Sequence, residues 1–252
     1  MPMDARVLAL VGAVVFLSAV AQSAVGFGYA LYATAPLVWL GLPLPQTVVL
    51  VGTCSLLLSI IGARRLRARV PWRMVGTAVA VRLVAVVVGL SLLRWLLSAE
   101  QGTIKAAVGA ILCAIVLVQW AWRPRPAPQV AAPWGALAFA SSGLLAGFCG
   151  MGGPPLVLWL MAHDWPSQKT RGFLFATFSL SIPAQLAMMT FTFGASVLFT
   201  VAVGLLCLPL VYAGSLVGMP VGDRLSRGAL RKCAYAILLA IGITSILAAV
   251  CV

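Results

Sequence analysis

Two glycine-rich segments, residues 26–28 and 150–155, have the composition of a small-anion site. Glycine allows another group to approach the backbone closely, and proline fits the first turn of a helix. A helix that begins at such a segment presents unpaired N–H groups and a partial positive charge, which together attract anions. We therefore predict an anion site around Gly26, Gly28, Gly150, Gly152 and Gly153.

Short polar side chains near these segments are further candidate ligands, because amide and hydroxyl groups donate hydrogen bonds to oxyanions. They are Gln22, Ser23, Thr53 and Ser55 near the first segment, and Thr177, Ser179 and the weaker candidate Gln185 after the second. Two alternatives remain open. One is that the glycines serve only close helix packing, and the other is that the hydroxyls bond the carbonyls of their own helices.

Arg82 lies eight residues inside the apolar stretch 74–97. An ionisable residue inside a membrane span is costly and is a functional candidate by default. The acidic residues fall at the ends of apolar stretches, so we expect the counter-charge of Arg82 to be a bound anion. The alternative is that its side chain extends to the membrane surface. Arg171, at the start of a later stretch, is a candidate for guiding anions inward or a simple topology signal.

Composition predicts that these residues lie in a lipid bilayer. The chain of 252 residues is 63% hydrophobic and 8% charged, whereas a soluble domain carries about 25% charged residues. Its mean hydropathy is +1.11. Since one helical span needs about 20 apolar residues, we predict an all-α integral membrane protein, a single bundle of about 8–10 helices.

The remaining composition argues against other classes of protein. The net charge is +13, but the basic residues lie in short runs between apolar stretches, which does not suggest nucleic-acid binding. The six cysteines have neither CxxC spacing nor an adjacent histidine. His163 and Asp164 have no nucleophile or metal ligand beside them. We expect no catalytic site, no metal and no cofactor.

Two apolar stretches, 29–40 and 155–162, are too short to cross a bilayer as helices, and each follows a glycine-rich segment. We predict that residues 7–40 and 134–162 form two helical hairpins whose glycine-rich tips lie inside the membrane. Backbone at that depth is tolerated where it is buried in protein or lines a cavity. The other predicted spans are 47–63, 74–97, 104–122, 172–193, 197–220 and 233–252.

Basic residues predict the orientation. If each hairpin returns to the side it entered, 13 of the 17 Lys and Arg residues fall in loops on one side, which is typical of the cytoplasm. Both termini are then outside the cytoplasm. Full crossing by both arms of each hairpin gives the same assignment. We also expect the signal-like N-terminal segment to be retained, because residues 26–28 have a counterpart in the second half.

That counterpart appears when the chain is shifted by 124 residues, which pairs residues 26–28 with 150–152, and Thr53 and Ser55 with Thr177 and Ser179. Each half then has one hairpin and three spans, an odd number, so the halves are inverted. We predict a first repeat at 1–122, a cytoplasmic linker at 123–133 and a second repeat at 134–252. Inverted repeats with broken helices are typical of secondary transporters.

The segments 25–28 and 146–154, each followed by Thr-x-Ser in the next span, resemble the TauE/SafE family of sulfite exporters. The likeness extends over nearly the whole chain. The resemblance implies a permease for sulfite, for sulfonates such as sulfoacetate or isethionate, or for related sulfur-containing anions. We expect it in the bacterial cytoplasmic (inner) membrane, surrounded by lipid. A homodimer is one possible oligomeric state, and the sequence leaves that state open.

We therefore expect a secondary transporter that exports a small sulfur-containing oxyanion by alternating access. No buried carboxylate is available as a proton relay. Export of an anion needs no coupled proton, because an inside-negative membrane potential lowers the free energy of moving one negative charge outward by about 2.3 kcal/mol per 100 mV. Two alternatives remain. One is an anion channel, although the Asn-Pro-Ala signature of aquaporin-like channels is absent, and the other is a membrane-embedded assembly factor.

Overall fold

The computed structural model describes residues 5–25, 28–121, 127, 130–224, 236 and 238–244, and these ranges are helical apart from turns and one isolated bridge between Ala127 and His163. The helices are α1 (Ala5–Val25), α2 (Tyr29–Trp39), α3 (Leu44–Arg65), α4 (Trp72–Leu96), α5 (Gln101–Ala121), α6 (Ala132–Cys149), α7 (Gly153–Met161), α8 (Ser167–Phe193), α9 (Ala195–Leu206) and α10 (Leu208–Arg224). Residues 238–244 are also helical. Gly26, most of the predicted linker and most of the predicted span 233–252 lie outside the described residues.

Membrane-spanning length is reached by five helices in the described part of the chain, namely α3, α4, α5, α6 and α8. A sixth span results if α9 and α10 count as one, because they follow each other with a bend of 49°. The prediction of an all-α, multi-pass membrane protein is confirmed. α3 and α8 are the most buried of the five, so they form the centre of the bundle.

Both glycine-rich segments interrupt the helices. Gly28 (φ 99°) directly precedes α2, and Gly150 (φ 76°) ends α6, with its N–H bonded to the carbonyl of Ala146. Side chains rarely adopt these left-handed angles, so glycine is the residue that permits both breaks. The helices that follow have only 11 and nine residues and pack on their predecessors, α2 on α1 and α7 on α6. The depth of these turns in the membrane and the inversion of the two halves stay predictions.

The region 197–220 differs from the single straight span predicted for it. α9 ends at Leu206, the N–H of Cys207 is shared between the carbonyls of Val203 and Gly204, and α10 begins at Leu208. Pro209, in the first turn of α10, has no N–H to continue the helical hydrogen bonds of α9. The proline therefore accounts for the bend.

Helices from the two halves of the chain pack closely against each other. The most extensive contacts are those of α4 with α6, α1 with α10, and α3 with α8. Glycines lie at the first two crossings: a methyl group on Gly143 of α6 would lie 2.1 Å from the carbonyl oxygen of Arg82, and one on Gly218 of α10 would lie 2.3 Å from that of Val20. Small residues permit such backbone contacts between membrane helices.

Candidate functional site

A partly polar cavity of about 70 Å³ lies where the breaks after α1 and α6 meet α3, α4 and α8. Besides the weaker candidate Gln185, seven of the thirteen other predicted site residues line it: Gln22, Gly28, Ser55, Arg82, Gly150, Gly152 and Gly153. They come from both halves of the chain. The structure therefore brings the two glycine-rich segments to one place, together with the arginine.

Arg82 is the cation of this cavity, and only 3% of its surface is exposed. Its Nη1 donates a hydrogen bond to Oγ of Ser142 and lies 3.5 Å from the carbonyl oxygen of Gly152. Its Cζ lies 5.0 Å from the ring centre of Phe178, a cation–π contact. Nε has no hydrogen-bond partner within the part of the chain that the structure describes. The side chain is buried in the protein rather than extended to an exposed surface, and no carboxylate pairs with it among the described residues.

Ser142 is a residue of this site that the sequence did not single out. It is fully buried on α6, where its hydroxyl accepts the bond from Arg82 and donates one to the carbonyl of Gly152. Its neighbour Ser141 bonds the carbonyl of Leu137 on its own helix instead. The predicted hairpin could have indicated Ser142, because a hairpin places the middle of α6 beside the start of α7.

Gly152 has no room for a side chain. A methyl group there would lie 2.6 Å from the carbonyl oxygen of Ser142 and 3.0 Å from Nη1 of Arg82. The absence of a Cβ thus allows the start of α7 to sit against both α6 and the guanidinium.

The start of α7 offers few N–H donors, contrary to the simple expectation for a helix N-terminus. Gly153 is the first helical residue, and Pro154 and Pro155 after it carry no N–H. Of these three residues only Gly153 has an N–H group for an anion. The positive charge at this end of the cavity therefore comes mainly from Arg82.

Two glutamines complete the polar part of the wall. Oε1 of Gln22 accepts a hydrogen bond of 2.9 Å from the N–H of Tyr29, the first residue of α2. Nε2 of Gln185 donates one of 2.9 Å to the carbonyl of Ala146, and Gln185 also lines the cavity. Each side chain thus forms a hydrogen bond between two helices next to one of the helix breaks.

The predicted hydroxyl ligands are mostly occupied elsewhere. Thr53 donates to the carbonyl of Val49, Ser55 to that of Gly52, and Ser179 to that of Ala176. Of the four predicted hydroxyls in α3 and α8, only that of Ser55 lines the cavity. A hydroxyl that donates to its own helix has no proton left for an anion. Thr177 is buried without a hydrogen-bond partner, but it is not part of the cavity wall.

The remaining predicted residues lie apart from the cavity. Ser23 faces α10, because a methyl group on Gly218 would lie 2.8 Å from its Cβ. Arg171 is exposed at the start of α8, with Cζ 5.9 Å from the ring centre of Phe175. Phe175 does line the cavity, so Arg171 is one side chain away from it. Gly26 is outside the described residues.

The described residues contain no cluster of three or more His, Cys, Asp or Glu side chains that could hold a metal ion. In comparisons with known proteins, residues 11–245 match the family model described as "Sulfite exporter TauE/SafE". No curated protein and no solved structure matches the chain. The family match covers nearly the whole sequence and includes every residue of the cavity wall. The chain belongs to the TauE/SafE family of sulfite exporters.

Proposed function

We propose that this protein exports a small sulfur-containing oxyanion, such as sulfite or an organosulfonate, and binds it beside Arg82 in the cavity between the two helix breaks. The family to which the chain belongs is described as one of sulfite exporters. The observation that carries the proposal is the burial of Arg82 without an acidic partner in the described part of the chain.

A buried guanidinium needs compensation for its lost hydration. Arg82 has a hydroxyl, a distant carbonyl and an aromatic ring as neighbours, none of which carries a negative charge. Its Nε–H is still free to donate. Because a guanidinium binds oxyanions through two parallel N–H groups, a bound anion would supply both the missing charge and the missing acceptor.

The size of the cavity favours a compact anion. Its volume of about 70 Å³ is a few times the minimum of about 10–15 Å³ that one water molecule requires. A pyramidal anion of four heavy atoms such as sulfite suits this volume. A sulfonate with a two-carbon extension would need a wider form of the cavity.

The pattern of helix contacts supports the inverted repeat and, with it, alternating access. In the predicted repeat, α1 corresponds to α6, α4 to the α9–α10 pair, and α3 to α8. The contact of α4 with α6 therefore has its counterpart in that of α10 with α1, while α3 and α8 contact each other. Such an exchange of partners is expected when two inverted halves interlock around a shared site.

Flux of sulfite from liposomes under an imposed potential tests the proposal. We expect saturable efflux by the wild-type protein and a loss of at least about thirtyfold in Arg82→Gln, since removing one partner of a buried charge pair costs about 2 kcal/mol or more. Arg94→Gln is the matched control, because Arg94 lies on the same helix but is exposed.

Three outcomes would contradict the proposal. Absence of flux for sulfite and for sulfonates would reject the transport function. Current that rises linearly with voltage, without saturation, would identify a channel. Full activity in Arg82→Gln would reject the site while leaving the transport function intact.

A further inference from the structure

A second cavity, separate from the anion site, runs along α5, α6 and α7. This apolar groove has a volume of about 750 Å³, and its wall includes Ala114 and Val118 of α5, Leu137 and Leu145 of α6, and Leu158 of α7. Ser141 also lines it, but its hydroxyl is bonded to the carbonyl of Leu137. The groove therefore offers hydrocarbon contacts and almost no polar group.

The groove opens on the side of the bundle that faces lipid. Leu137 and Val118 are 60% and 46% exposed, and both belong to helices of membrane-spanning length. The other face of α5 is covered, because a methyl group on Gly242 would lie 2.5 Å from Sγ of Cys113. The helical residues 238–244 thus pack on another face of α5, and none of them lines the groove.

The length of the groove matches one leaflet. Along α6 its wall extends from Trp134 to Leu145, which is about 16 Å at 1.5 Å per residue. Half of a hydrocarbon core about 30 Å thick is about 15 Å. Trp134 is half exposed at one end, the position that tryptophan favours at the membrane interface.

We propose that this groove is a binding site for one acyl chain of a membrane phospholipid. The occupant follows from the apolar lining, the one-leaflet length and the continuity of the opening with the lipid-facing surface. Trp159, near the end of α7, also lines the groove, and its Nε1 is buried without a hydrogen-bond partner among the described residues.

The bound chain would act on the anion site through α7. Pro154 lines both the groove and the anion cavity, so α7 separates the two. An acyl chain in the groove holds the start of this short helix against α6 and Arg82. Lipid occupancy then stabilises the arrangement in which Gly152 contacts Ser142.

Photolabelling tests the site without requiring transport. The full chain is placed in bilayers that contain phosphatidylethanolamine with a diazirine in the middle of one acyl chain, and labelled peptides are identified after illumination. We expect Leu158 and Leu145, which line the groove, to be labelled more strongly than Phe199, which is 73% exposed on α9.

A matched pair of variants on α5 sharpens the test. Ala114→Phe fills the groove and should lower labelling of Leu158 by about tenfold, the effect of losing about two buried CH₂ groups. Ala110→Phe, one turn away, exposed and outside the groove wall, should leave it unchanged.

Labelling of Leu158 at or below that of Phe199 in the wild-type protein would overturn the proposal, whether or not the variants fold. Equal labelling of Leu158 in Ala114→Phe and Ala110→Phe would also overturn the proposal. Cross-links between two copies through the groove would assign it to a dimer interface instead.

Discussion

Arg82 and Ser142, sixty residues apart in sequence, are joined by a hydrogen bond from Nη1 of the guanidinium to Oγ of the serine. The same hydroxyl donates to the carbonyl of Gly152, just before α7. One serine thus connects the buried cation on α4 to the middle of α6 and to the break between α6 and α7. The orientation of the charge in the cavity depends on this contact.

Ser142→Ala removes both bonds and leaves Nη1 without its nearest acceptor. We expect the KM for sulfite to rise by about tenfold, since a hydrogen bond to a charged group contributes about 1.5–3 kcal/mol, while the maximal rate changes less. Ser142→Thr keeps the hydroxyl and should restore most of the affinity. Ser141→Ala is the control, because that hydroxyl bonds its own helix. Equal KM values for Ser142→Ala and Ser141→Ala would contradict the assigned role.

Gly152→Ala places a methyl group 2.6 Å from the carbonyl oxygen of Ser142. We expect the start of α7 to be displaced, with loss of sulfite flux and a destabilisation of about 1–3 kcal/mol from overpacking. Gly153→Ala is the matched control for stability, because its methyl group would meet only Cζ of Phe178 at 3.9 Å. Flux and thermal unfolding in detergent are the measurements. The prediction fails if both alanine variants behave alike.

Two variants of Gln22 separate its effect on the stability of the protein from its effect on anion transport. Gln22→Ala leaves the N–H of Tyr29 without its acceptor, and we expect a loss of about 1–3 kcal/mol in stability. Gln22→Glu retains an acceptor oxygen but adds a negative charge to the cavity wall. It should therefore unfold near the wild-type temperature and yet transport sulfite poorly. Normal flux in Gln22→Glu would show that this residue does not face the anion.

The crossing of α4 and α6 should tolerate no additional atoms. Gly143→Ala would place a methyl group 2.1 Å from the carbonyl oxygen of Arg82, so we expect destabilisation of more than about 2 kcal/mol or no folded protein. Gly76→Ala, on α4, has nothing within 4 Å of the added methyl group and should be neutral or slightly stabilising. Yield and unfolding temperature of the two variants provide the comparison.

The features predicted correctly from the sequence are those that local chemistry determines. Gly28 and Gly150 adopt angles that other residues rarely accept, so the positions of both helix breaks could be predicted from residue type. Apolar length predicted the long helices. For Arg82 the sequence left burial and extension to the membrane surface as alternatives, and its side chain is buried. The inverted orientation of the halves stays a prediction, although the exchanged helix contacts support it.

The features that were missed depend on tertiary contacts. Ser141 and Ser142 are adjacent serines that the sequence does not distinguish. They differ only in their tertiary contacts, because Ser142 bonds Arg82 and Gly152 whereas Ser141 bonds its own helix. The hydroxyl of Thr53 was predicted as an anion ligand, but in the structure it donates its hydrogen bond to the carbonyl of Val49. The bend between α9 and α10 was missed because hydropathy is continuous across Pro209 and carries no information about hydrogen-bond geometry.

The glycine contacts between helices have a consequence for how the protein moves. Backbone atoms of α6 touch those of α4, and backbone atoms of α10 touch those of α1, so neither pair can slide or rotate internally without a steric clash. α3 and α8 meet through side chains, such as Leu186 against Gly52, which can repack. Opening of the cavity to either side of the membrane would thus displace the α4–α6 pair and the α1–α10 pair as two rigid bodies. The contact between α3 and α8 would be the surface along which the two bodies slide.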